Sequence, residues 1–196
     1  MIVQKVRMMG RNIGKLLSDA MERHPDGGVF LIELPAESYF EAGSESLRFL
    51  IGNGMEGDYV SFQRPSENVS ELLEKGGINV SKIIFIDVAS GLGGKKERSG
   101  ARCVHIGEGI EIDELSRAVY TTLPKLKGKK FIYIDSLTTI ALHKPLSEMM
   151  RLFEFLVMET RKAKGTVLII NVARELAQKK FIEDVAVHAD EIISVD

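Results

Sequence analysis

The chain has 196 residues, of which 44% are hydrophobic and 28% charged, and its formal net charge is -2. This composition excludes a disordered chain, and it excludes a strong overall field that would draw nucleic acid or an anionic membrane. The single cysteine, Cys103, excludes a disulfide framework and a cysteine-rich zinc site, so a reducing, cytoplasmic compartment is expected.

No apolar run reaches membrane-spanning length, and the first residues carry no signal-peptide pattern, so no membrane role is expected. Glu and Lys are plentiful and Gln is scarce, a bias that points to a thermophilic source. Met1 to Met9 gives no clear pattern. Arg11 to His24 spaces Ile13, Leu16, Leu17, Ala20 and Met21 as an amphipathic helix, which Pro25-Asp26-Gly27-Gly28 stops. Residues 1–27 therefore read as an N-terminal extension, and 28–196 as the core of a single domain.

Val29 to Leu34 predicts the first strand, and Pro35 to Ser44 a loop leading into a helix over Glu45 to Asn53. Asp58 to Gln63 is a second strand, Glu67 to Lys75 a helix, and Ile83 to Val88 a third strand ending near Asp87. Ser90 to Arg102 is Gly-rich and charged, and reads as a mobile surface loop. Arg102 to Ile106 is a short strand and Ile112 to Leu123 a helix. Phe131-Ile132-Tyr133-Ile134-Asp135-Ser136 is a buried parallel strand that ends on an acid. Pro145 to Lys164 is the longest helix, Thr166 to Val172 a strand, Arg174 to Val187 helical, and Glu191 to Val195 the last strand.

Strands alternating with helices imply an α/β fold with a mostly parallel central sheet covered on both faces. Ligands bind such sheets at the carboxyl ends of the strands. Residues 34–44, 63–66, 87–102, 135–144 and 171–175 are expected to share that rim.

The order of elements, the Phe-Ile-Tyr-Ile-Asp135-Ser136-Leu137 stretch and the closing Asp190-Glu191-Ile192-Ile193-Ser194-Val195 resemble the RecA superfamily, and within it the KaiC-like ATPases of archaea. The resemblance covers roughly Gly28 to the end. It implies a three-layer P-loop NTPase fold, with Asp135 at the position that holds Mg²⁺ beside the nucleotide phosphates. It also implies a phosphate loop, G-x-x-x-x-G-K-[ST], straight after the first strand. Aligned on the following helix, the two glycine positions fall on Ala36 and Glu41, the lysine on Ala42 and the hydroxyl residue on Gly43.

Pro35 to Ser44 contains no lysine, and Glu37 and Glu41 would face the phosphates. A phosphate cradle needs exposed backbone N–H groups and a cation, and like charges in a water-poor site oppose binding. The glutamate pair that activates water in KaiC-like ATPases falls on Gln63 and Arg64, and neither accepts a proton as a carboxylate does. The chain thus looks most like the RecA-like proteins that lack an intact phosphate loop.

The vestigial nucleotide site would comprise Asp135, Ser136, Glu37, Glu41, Ala42, Gly43, Gln63 and Arg64, with no catalytic residue and Asp135 the one candidate metal ligand. No cofactor is expected; ATP with Mg²⁺ is the alternative. Lys95, Lys96, Arg98 and Arg102 form a basic loop that could touch a partner or nucleic acid, but no aromatic residue interleaves with them for base stacking. Gly10 to Lys15 mimics a phosphate loop one residue short, with no strand before it, and reads as a helix start.

His24, His105, His143 and His188 are scattered, without a second ligand at metal spacing. Cys103 reads as a small apolar strand residue with nothing beside it to suggest a nucleophile. The helix from Pro145 carries two apolar stripes, Met149-Phe153-Leu156-Val157 and Leu152-Phe155-Met158; the second either packs inside or docks another subunit. The reading is a non-catalytic binding or regulatory module that contacts a protein partner or itself. The alternatives are a divergent nucleotide binder or weak ATPase, with Arg64, the 95–102 loop or Arg174 replacing the lysine, and a recombinase-paralogue role on DNA.

Overall fold

The structure, a computed structural model, describes residues 5–8, 13–92, 102–107, 111–140, 144–174 and 179–195. In chain order the elements are β1 (Lys5–Met8), α1 (Ile13–Arg23), β2 (Gly27–Leu34), α2 (Tyr39–Gly52), β3 (Glu56–Ser61), α3 (Ser66–Lys75), β4 (Ile83–Asp87), α4 (Ala89–Leu92), β5 (Cys103–His105), α5 (Ile112–Thr122), β6 (Lys130–Asp135), α6 (Leu137–Ile140), α7 (Leu146–Lys162), β7 (Thr166–Ala173), α8 (Lys179–Ala186) and β8 (Glu191–Val195).

The eight strands form one sheet in the order β1-β8-β2-β7-β6-β3-β4-β5. Every neighbouring pair is parallel. The physical reason lies in the strand sequences. β2, β4, β6 and β7 are apolar at nearly every position, so each needs a helical layer on both faces. Alternate side chains of β2 show the division: Val29 and Leu31 join the core beneath α5 and α7, while Phe30, Ile32 and Leu34 join the core beneath α1, α2 and α3.

The first strands and helices extend what the sequence predicts. β1 pairs with β8, with Val6 opposite Ile193, so the N-terminal stretch adds an edge strand to the sheet. The inward positions of α1, Ile13, Leu16, Leu17 and Ala20, are all buried. α2 begins at Tyr39, six residues before the expected start at Glu45. Pro35 and the 3-10 turn Ala36–Ser38 lead directly into it, and Ser46 Oγ donates to the Ala42 carbonyl at 2.8 Å within its first turns. Short helical turns follow two strands where loops were expected, at α4 and α6. Residues 93–101 of the basic loop lie outside the described residues, as does His143.

The second stripe of α7 divides. Leu152 is buried and Phe155 packs on the core, but Met158 is exposed. Pro145 precedes this helix and Gly165 follows it at φ 75°, as the sequence predicts. Among the described residues, no helix is long and apolar enough to cross a membrane.

Candidate functional site

β6 delivers Asp135 to the rim opposite Ser61 of β3, and Tyr133 two residues earlier lies opposite Tyr59. The period of two in a strand puts Tyr59, Tyr133 and Asp135 on the sheet face covered by α1 to α3. The Tyr59 and Tyr133 rings stack, with centroids 5.3 Å apart and planes 11° apart. The Tyr59 hydroxyl donates to Asp135 Oδ2, and Asn171 Nδ2, at the end of β7, donates to the Tyr133 hydroxyl. Tyr39, the first residue of α2, closes the cluster with its hydroxyl buried beside Asp135 and Ser136.

These groups enclose a cavity of about 10 Å³, lined among others by Tyr39, Phe40, Gly43, Tyr59, Tyr133 and Asn171. That volume admits roughly one water molecule. A phosphoryl group is several times larger. Three polar atoms of this cluster, Tyr39 Oη, Asp135 Oδ1 and Asn171 Oδ1, are buried without a hydrogen bond of ordinary geometry.

The electrostatics favour neutral groups throughout. Burial pushes the Asp135 carboxyl above the ordinary carboxylate range, while the Tyr59 and Tyr39 hydroxyls and the Arg64 charge pull it back. Burial, with the Asp135 charge second, holds the Tyr39 and Tyr59 phenols well above their usual value. Tyr133 is shifted upward for the same two reasons, with Asn171 opposing. A Mg²⁺ ion needs an ionised, accessible carboxylate oxygen. Here one oxygen accepts from Tyr59 and the side chain is only 6% exposed.

The sequence-derived site residues separate into two groups. Asp135 and Ser136 are buried at the rim, joined by a cis peptide bond. Ser136 Oγ lies 3.4 Å from Thr139 Oγ1, and Thr138 Oγ1 accepts from the Ala173 N–H at 3.1 Å, tying α6 to β7. Ala42 is buried, and Gly43 faces the Tyr133 hydroxyl so closely that an added Cβ would sit 3.0 Å from it. Arg64 is exposed, and its guanidinium lies over the Phe40 ring, 4.9 Å from the centroid. Ser61 Oγ holds the loop by donating to the Arg64 carbonyl at 2.5 Å. Glu37, Glu41 and Gln63 are exposed and stand apart from the cluster. Of the basic loop, Lys95, Lys96 and Arg98 lie outside the described residues; Arg102 is exposed beside β5.

Sequence reading missed Tyr59 and Asn171, and it left the Tyr39-Phe40 pair without a defined role. A signal for Tyr59 and Tyr133 was present: each lies two residues before the end of its strand, on the face of the terminal side chain. One reading is corrected. Cys103 and His105 do have ligand-type neighbours, because two residues apart on a strand they share a face, and Asp87 stands opposite His105 in register.

The helical layers and the all-parallel sheet form a three-layer α/β fold, and solved structures of RecA/KaiC-like proteins share that fold. A KaiC-like protein of the hyperthermophilic archaeon Pyrococcus horikoshii OT3 superposes with a TM-score of 0.56 at 16% identity, over 86% of this chain and 72% of the other. An uncharacterized protein of Pyrococcus horikoshii, solved in complex with an unknown peptide, gives 0.64 at 12% identity, over 90% and 82%. The flagellar accessory protein FlaH of Methanocaldococcus jannaschii gives 0.61 at 14% identity, over 90% and 76%. No protein-family model matches the sequence, and no curated protein matches it by sequence.

Proposed function

We propose that this chain is a single RecA/KaiC-like domain that acts as a non-catalytic binding or regulatory module in the cytoplasm, with a protein partner or a second copy of itself as its target. The observation that carries this reading is the packing of Tyr39 against Tyr59, Tyr133 and Asp135, which leaves a cavity of only about 10 Å³ beside the acid that ends β6. Three sequence features agree with it. The segment 35–44 has no lysine, Glu37 and Glu41 add negative charge, and Gln63 and Arg64 fall where the resemblance to KaiC-like ATPases would put the carboxylates that activate water. Of the similar structures, one was solved with a peptide bound.

A second reading has one observation in its favour. Asp135 Oδ1 is buried without a hydrogen bond, so a metal with a bound nucleotide would satisfy it if Tyr39 swung away. Arg64, already at the rim, would then supply the missing cation. Calorimetric titration with ATP and Mg²⁺ separates the two. The proposed function expects no heat at high micromolar nucleotide, in the unaltered protein or in Asp135→Ala. Binding that Asp135→Ala abolishes would overturn it and establish the nucleotide-binding reading. Salt-dependent binding of single-stranded DNA would instead support the recombinase-paralogue role.

A further inference from the structure

At the opposite edge of the rim, β4 and β5 bring together three side chains of metal-binding type. The parallel register sets Asp87 opposite His105 and Phe85 opposite Cys103. Registered neighbours in a parallel pair point to one face, and so do residues two apart, so Asp87, Cys103 and His105 all face α3. His105 Nδ1 lies 3.7 Å from Asp87 Oδ2, and its Nε2 lies 3.6 Å from Cys103 Sγ. One donor atom from each residue falls within 4.8 Å of the other two. His105 Nδ1 is buried without a hydrogen bond.

We propose that Asp87, Cys103 and His105 form a binding site for a thiophilic divalent cation of the zinc type. Donor separations in a tetrahedral zinc site, from bonds of about 2.0 to 2.3 Å, are roughly 3.3 to 3.8 Å. With one donor atom from each residue the separations lie within 4.8 Å, and a turn of the His105 ring that brings a single nitrogen toward both Asp87 Oδ2 and Cys103 Sγ closes them to that range. The charges suit the ion: one thiolate and one carboxylate neutralise a divalent cation, with a neutral imidazole as third ligand. Thiolate with imidazole selects zinc over Mg²⁺ or Ca²⁺, which take oxygen ligands.

The carboxylate is already oriented. Asp87 Oδ2 accepts from the Ser66 N–H at 2.8 Å and from Ser90 Oγ at 2.8 Å, and Oδ1 accepts from the Ser90 N–H at 2.9 Å. Such outer partners fix the orientation of a ligating carboxylate. Ser66 Oγ lies 3.2 Å from Cys103 Sγ and supports the thiolate in the same way. A cleft of about 550 Å³ opens beside the site, lined by Ser66, Glu67, Arg102, Cys103 and His105. The fourth coordination position therefore faces solvent, where water or a partner's side chain completes the shell.

Cobalt(II) titration of the reduced, full-length protein tests this site. The chain has one cysteine, so a near-ultraviolet thiolate-to-cobalt band reports Cys103 alone. The expected result is a band that saturates at one equivalent and disappears when zinc is added. Cys103→Ser should remove the band, and His105→Gln should weaken cobalt binding at least tenfold. Asp87 also holds the starts of two helices, so the test rests on the other two ligands. Absence of the band in folded protein would overturn the proposal. So would a band of unchanged affinity in His105→Gln.

Discussion

Tyr59 donates its phenolic hydrogen to Asp135 Oδ2 while its ring stacks on Tyr133, two residues before that acid in β6. The carboxyl group that ends β6 is thus tied sideways to β3. Removing the donor leaves a buried acceptor without its partner, which costs about 1 to 3 kcal/mol. Tyr59→Phe should lose stability by that amount in urea unfolding. Burial holds the Asp135 pKa above its unfolded value and the Tyr59 bond opposes that rise. The native state of Tyr59→Phe therefore holds the Asp135 proton to higher pH. A raised carboxyl pKa gives stability that is present at low pH and lost as pH rises through the folded pKa. The deficit of the variant should accordingly grow as pH rises above the range in which the unfolded carboxyl titrates.

Asp58 gives a cleaner titration. It is fully buried in β3, accepts from Thr122 Oγ1 at 2.7 Å, and has a pKa raised to about 7, with burial the main cause. The folded state binds this proton more tightly than the unfolded chain, whose Asp titrates near 4. Between those values stability should fall by up to ~1.4 kcal/mol per pH unit from this group alone. Asp58→Asn keeps the bond to Thr122 and removes the titration. Its unfolding free energy should show a flatter pH profile, exceeding that of the unaltered protein above pH 7.

Gly43 tests how tightly the cluster fills the rim. Alanine inside a helix gains about 1 kcal/mol over glycine. Here its Cβ would lie 3.0 Å from the Tyr133 hydroxyl, which is held by Asn171 and by the stacked Tyr59 ring. Overpacking costs about 1 to 3 kcal/mol, so the crowding should win. Gly43→Ala is expected to be neutral to 2 kcal/mol less stable by thermal or chemical unfolding, the difference of those two figures. A clear gain in stability would show that Tyr133 moves freely.

Gly57 is a harder constraint. It pairs with Phe131 across the β3–β6 ladder, and an added Cβ would fall 2.2 Å from that ring. The ring is fully buried and has nowhere to go. Gly57→Ala should cost about 3 kcal/mol. Phe131→Leu in the same chain should recover part of that loss, because the two changes share one contact and their effects are not additive.

The order of strands and helices was legible in the sequence because it rests on local patterns. The apolar runs of β2, β4, β6 and β7 and the helical periods of α1, α5 and α7 appear within windows of a dozen residues. So was the absence of a lysine in residues 35–44, which is a matter of composition alone. β1 and the early start of α2 were not legible. β1 is four residues long and gains its bonds only from β8, at the other end of the chain. Tyr39 begins a helix where its side chain is buried beside Asp135 and Tyr133, long-range packing that overrides the Gly43 in its first turns.

The α/β class and the acid that β6 carries to the rim follow from local patterns along the chain. What surrounds that acid depends on long-range strand pairing. Tyr39, Tyr59, Tyr133 and Asn171 come from four elements far apart in the chain, and the sheet order places β7, β6 and β3 side by side. The same is true of Asp87, Cys103 and His105, which meet only because β4 and β5 pair in one register. Alternation along a strand tells which face a side chain takes, but the identity of its neighbour on the next strand is set by long-range pairing.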